Sequence, residues 1–176
     1  MLLCIGGISG SGRKTLAREY AARSGYHLYD SNARKSHQYV RSDDGTYDQL
    51  TSHPQDDVTW EHLYGVILED LSLLLKMHSG VVLEDSFHRE GPREYFLKEA
   101  GERFGGVVFI WIERERTQAN DAIVRQHGER SARILRARER TEQDLVPPGA
   151  SIPVFTYGGT TQAAIRPFVA FVNACR

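Results

Sequence analysis

Two cysteines in 176 residues, Cys4 and Cys175 near opposite ends, exclude a disulfide framework. Cys4 falls inside an apolar run and is expected to be a buried free thiol. Long hydrophobic runs are also missing: none approaches the roughly 20 residues that span a bilayer. No charged-then-apolar leader with a small-residue cleavage site is visible either. A cytoplasmic protein with no membrane partner is the expectation. An excess of one charge is absent, the formal net charge being -1. That excludes a global pull toward nucleic acid and leaves room only for a local basic patch. There is no internal repeat, no low-complexity tract and no linker long enough to divide domains. With 40% hydrophobic and 26% charged residues, the composition is that of an ordinary globular chain. The length suits one domain, residues 1–176, with a sizeable core. None of this speaks to oligomeric state.

What is present is alternation. Apolar strand patterns at residues 2–5, 26–29, 81–83, 107–112 and 152–155 are separated by helical periodicity. Helices are expected from Arg13 to about Ser24 and from Asp56 or Asp57 to about Met77. Others are expected from Pro92 to Phe104, from Glu115 to about Arg140 as one or two segments, and from Thr160 or Thr161 to about Ala174. Residues 34–55 have weak periodicity and a turn signal at Ser42-Asp43-Asp44-Gly45, and read as an irregular segment with one short helix. Strands alternating with helices predict an α/β three-layer sandwich with a five-stranded parallel sheet. Trp60, Tyr64 and Trp111 read as core.

Between the first strand and first helix stands Gly7-Ile8-Ser9-Gly10-Ser11-Gly12-Arg13-Lys14-Thr15. Strand, glycine-rich loop, helix is the context of a phosphate-binding P-loop. Its amides converge on phosphate oxygens, helped by the positive end of the helix. The usual pattern is G-x-x-x-x-G-K-[ST], and this loop departs from it. In a gapless register, which keeps both glycines in place, Arg13 replaces the lysine and Lys14 the hydroxyl. With one residue inserted, Lys14-Thr15 recover the usual pair.

Gly7-x-x-Gly10-Ser11-Gly12, followed by Lys14-Thr15-Leu16-Ala17-Arg18-Glu19, resembles the P-loop kinases of the nucleoside-monophosphate-kinase-like group. The resemblance is nearest to the polynucleotide kinase, gluconokinase and chloramphenicol phosphotransferase branch, often labelled AAA-type or zeta-toxin-like. It covers most of the chain in element order. It implies a P-loop NTPase fold with a helical lid over about residues 115–145, and ATP or another NTP as donor with Mg²⁺. The γ-phosphoryl group would pass to an acceptor hydroxyl. The acceptor would be a nucleoside, a nucleotide, a nucleic acid (including a hydroxymethylated base in DNA) or a small metabolite. Aromatics around Tyr39–Tyr47 suggest an acceptor of some size.

The resemblance also implies roles for residues. Gly7, Ser9, Gly10, Ser11, Gly12, Arg13, Lys14 and Thr15 would hold the nucleotide, and Tyr157 would contact its base. Asp30, ending the second strand, would be the general base, with Arg34 on the substrate; in a shifted register Asn32 would stand there instead. Glu84 or Asp85, at the end of the third strand, would serve the metal. Alternation sends them to opposite sides, so only one should do so, and Asp85 is the favoured residue, with Thr15 as the hydroxyl ligand. Arg89 and Arg93 would bind acceptor or phosphate, unless they merely open a solvated helix. His88 reads as structural or substrate-lining. Of the arginines at 125, 130, 133, 136, 138 and 140, Arg125 and Arg130 fall where lid arginines reach the transferring group, although Glu129, Glu139 and Glu142 intersperse them as on an exposed helix. A displaced lysine leaves a competing expectation open: a nucleotide-binding module with a degenerate loop and little catalysis.

Overall fold

The computed structural model describes residues 1–31, 34 and 57–176. The expected irregular segment, the Tyr39–Tyr47 aromatics, Asn32 and Asp56 fall outside the described residues, Arg34 excepted. In chain order the elements are β1 (Leu2–Gly6), α1 (Arg13–Ser24), β2 (His27–Asp30), α2 (Asp57–Met77), β3 (Val81–Glu84) and α3 (Glu90–Phe104). They continue with β4 (Val107–Arg114), α4 (Arg116–His127), a 3₁₀ turn (Gly128–Arg130), α5 (Ser131–Gln143), β5 (Val154–Tyr157) and α6 (Thr161–Ala174). The strands form one sheet in the order β2-β3-β1-β4-β5, every pair parallel.

Alternation along the strands divides the core. Leu2, Cys4, Leu83, Phe109 and Trp111 pack with Trp60, Tyr64, Leu68 and Phe96 of α2 and α3. Leu3, Ile5, Val82, Ile110 and Ile112 pack with Leu16 and Tyr20 of α1 and Ile165 and Phe168 of α6. β1 is buried along its whole length, as a central parallel strand must be. Cys4 is a buried free thiol, as expected. Burial, and after it the negative charge of Asp85, pushes that thiol up. Among the described residues no helix is long and apolar enough to cross a membrane.

The structure departs from expectation in detail. α3 begins two residues early, at Glu90, which leaves Pro92 inside the first turn where its missing N–H costs no helix bond. The stretch after β4, expected as one or two segments, is two; the chain turns at Gly128, whose φ is 51°. β5 starts at Val154; Ile152 precedes it and packs, partly buried, against the α2–α3 core.

Candidate phosphate-binding site

β1 delivers the chain to the loop at the carboxyl ends of the strands, where open α/β sheets bind ligands. α1 begins at Arg13, directly after Gly12, which suits the gapless register. Gly12 takes φ 82°, and a Cβ there would lie 2.1 Å from the Tyr157 hydroxyl. Gly10, at φ 81°, backs onto the Ala119 carbonyl at 2.7 Å from a would-be Cβ. No side chain caps α1. Its first-turn amides lack intrahelical partners, as at every helix start. The Ser11 hydroxyl is buried and has no hydrogen-bond partner among the described residues. A buried polar atom left unpaired calls for a partner beyond the described residues, a water or a ligand.

Two ion pairs flank the loop. Arg13 donates through Nε to the Glu84 carboxylate at 3.0 Å and through its guanidinium to the Gly7 carbonyl. Glu84 is 2% exposed, so the pair is shielded from water. Lys14 Nζ lies 3.7 Å from Asp30 Oδ2, both about half exposed. Asp30 and Glu84 are opposite each other in the β2–β3 register, and Ile5 is opposite Glu84. Both acids therefore continue the α1 face of the sheet. Ser31 fixes the end of β2 by donating to the Glu84 carbonyl at 2.7 Å.

Asp85 goes the other way. It is buried, accepts from the Ser86 amide at 2.6 Å, and lies on the α2–α3 side, where burial first and then its charge push up the Cys4 thiol and the Tyr64 hydroxyl. Ser86 continues this chain of contacts to His88 Nδ1 at 2.9 Å, and the His88 ring meets Trp60 edge-on. Phe87, between them, is buried at φ 48°, a strained value for an aromatic residue.

The residues expected to touch substrate divide. Arg34 pairs with Asp70 of α2 at 2.9 Å, and Tyr29 donates to the same carboxylate at 2.6 Å. Burial first, and then that carboxylate, raise the Tyr29 hydroxyl. Arg89 holds Asp57 at 2.6 Å and Asp144 at 3.6 Å. Arg93 is buried and donates to the carbonyls of Phe87 and Val146, both at 2.9 Å. Burial pushes its guanidinium down. Arg93 thus braces the backbone after β3.

On the lid side, Arg125 and Arg130 are exposed. The arginine that reaches the loop is Arg138 of α5. It is 3% exposed, donates to the Ser9 carbonyl, and is held by Glu142 at 2.8 and 2.9 Å. Its i,i+4 spacing to Glu142 was a signal in the sequence, but the Ser9 contact, 129 residues away, was not. Tyr157 donates to the Ser11 carbonyl at 2.8 Å, beneath the Arg114 guanidinium. A cavity of about 410 Å³ opens between Ile8 and Ser11, Trp111 and Arg114, and Arg138 and Glu142. Arg138→Met is expected to speed amide hydrogen exchange at residues 8–12 about tenfold or more while leaving β1 protected, since one charged hydrogen bond contributes about 1.5–3 kcal/mol. Mass-spectrometric exchange checks it.

These residues do not suit a loop-bound magnesium ion. The position two after Gly12, where the pattern puts a hydroxyl, is Lys14. Thr15 is exposed one place farther on, and Asp85 is buried on the opposite face. Glu84 is taken by Arg13 and Asp30 faces Lys14. Among the described residues no three His, Cys, Asp or Glu side chains converge on a common point.

No family model matches the chain, and no curated protein does. Solved structures do. A sugar kinase from Janibacter sp. HTCC2649 superposes with a TM-score of 0.70 at 14% identity, covering 98% of this chain and 94% of that one. A gluconokinase from Sinorhizobium meliloti 1021 gives 0.63 at 16% identity over 98% and 91%. Chaetomium thermophilum Kti12, solved with ADP-AlF3, gives 0.63 at 16% over 99% and 98%. The chain has the kinase-like P-loop NTPase fold.

Proposed function

We propose that this chain transfers the terminal phosphoryl group of ATP to a hydroxyl of a small polyol- or sugar-like acceptor. The observation that carries the reading is the placement of the Asp30 carboxylate. It ends β2 on the face of the phosphate loop, half exposed and 3.7 Å from the first-turn Lys14. A base for a hydroxyl proton belongs there, accessible to an acceptor and adjacent to the phosphates. The acceptor oxygen would bond to the terminal phosphorus as the bond to the bridging oxygen breaks. The hydroxyl proton goes to Asp30, and ADP leaves with the bond electrons. Loop amides, Arg13 and Lys14 would offset charge on the phosphoryl oxygens, and Arg125 and Arg130 would reach them from about residues 115–145 acting as a lid. The sugar kinase and gluconokinase likenesses favour a small acceptor. Nucleosides and hydroxymethylated oligonucleotides belong in the same test.

A second reading has its own support. Arg13 is engaged with Glu84 and the Gly7 carbonyl, which suits a loop that binds nucleotide and turns over little. Labelled ATP incubated with sugars, polyols, nucleosides and oligonucleotides separates the two. Transfer to one acceptor class is expected; ATP binding without transfer or hydrolysis leaves the binding module.

A further inference from the structure

We infer that the Lys14 ammonium takes the place of a divalent ion at the phosphates, so that nucleotide is bound without metal. This rests on the nucleotide reading above. In the gapless register, which the start of α1 directly after Gly12 suits, the position after Arg13 is where a P-loop hydroxyl would hold Mg²⁺. A hydroxyl ligates a hydrated cation, whereas an ammonium is itself the cation and repels a second one. Its counter-charge is already in place: Asp30 lies 3.7 Å from Nζ. The neighbouring acid of the same face, Glu84, is neutralised by Arg13 at 3.0 Å. Asp85, the remaining acid at the end of β3, lies buried across the sheet. The buried, unpartnered Ser11 hydroxyl calls for a partner in the loop, a water or a ligand, independently of the helix terminus. In this arrangement Lys14 exchanges part of its contact with Asp30 for terminal phosphate oxygens. It thereby ties the base to the group it acts on.

The test is calorimetric titration of ATP into the full chain, in excess EDTA and in excess MgCl₂. The wild type is expected to bind with dissociation constants within about threefold of each other. Lys14→Thr restores the hydroxyl; it should lose at least about tenfold in EDTA and recover with Mg²⁺. Lys14→Arg, which keeps the charge, should stay insensitive to metal. Lys14 is half exposed, so both variants should keep the wild-type melting curve. Wild-type binding that weakens tenfold or more in EDTA overturns the inference, as does a Lys14→Thr variant as indifferent to metal as the wild type. Absence of ATP binding in either medium overturns the nucleotide reading together with it, and so is told apart from failure of the metal claim alone.

Discussion

Arg13→Met is expected to cost the fold about 3–5 kcal/mol, because it breaks a buried ion pair by removing one partner. Glu84 is 2% exposed and its Nε contact with Arg13 measures 3.0 Å. The charge cannot retreat to water without opening the end of β3, where Ser31 also fastens to the Glu84 carbonyl. The midpoint of a urea titration measures the loss. Pairing the change with Glu84→Gln removes the buried charge as well, so the double variant should regain most of the stability. It should not regain nucleotide. A charge-assisted contact to phosphate contributes about 1.5–3 kcal/mol, so ATP affinity should fall roughly 10- to 150-fold in the double variant. If the double variant binds ATP like the wild type, Arg13 is a structural brace and does not touch phosphate.

Asp30→Asn should lower phosphoryl transfer by about 10²–10⁴ in kcat and leave ATP binding nearly unchanged. The amide keeps the shape of the carboxylate and cannot take the proton. Asp30 is half exposed, and exposed pairs such as Lys14–Asp30 contribute about 0–1 kcal/mol, so stability should hardly move. A change confined to KM, with kcat intact, would assign Asp30 to acceptor binding instead.

The alternation of apolar runs with helical periodicity was enough to read the five parallel strands and their helices, since β1, β3 and β4 are built on continuous apolar runs and β2 and β5 on short mixed ones. The loop was legible as well, because its glycines sit between a strand and a helix in so short a span. What could not be read is set by contacts between distant residues. The sequence favoured Asp85 over Glu84; the register places Glu84 beside Ile5 on the loop's face, and the orientation of β3 follows from pairing, not composition. The i,i+4 spacing to Glu142 marked Arg138 for an ion pair, but nothing local marked it as the arginine that meets the loop. Only the fold of α5 back over the loop buries that guanidinium against Ser9. Arg93 read as an acceptor or phosphate contact or as part of a solvated helix start, and its bracing role was illegible because its partners are carbonyls, which every residue supplies.

The hydroxyl of Tyr157 rests on Ser11, 146 residues earlier in the chain. That contact fastens the last strand to the first loop, so the phosphate cradle is finished only when the carboxyl-terminal part has folded. During synthesis the glycine-rich segment leaves the ribosome first and must wait for β5 before its shape is fixed. Pairings of such long separation form late and slowly. Nucleotide capture would thus report the docking of β5 against the loop, and a nascent fragment ending before β5 would carry the motif without the site.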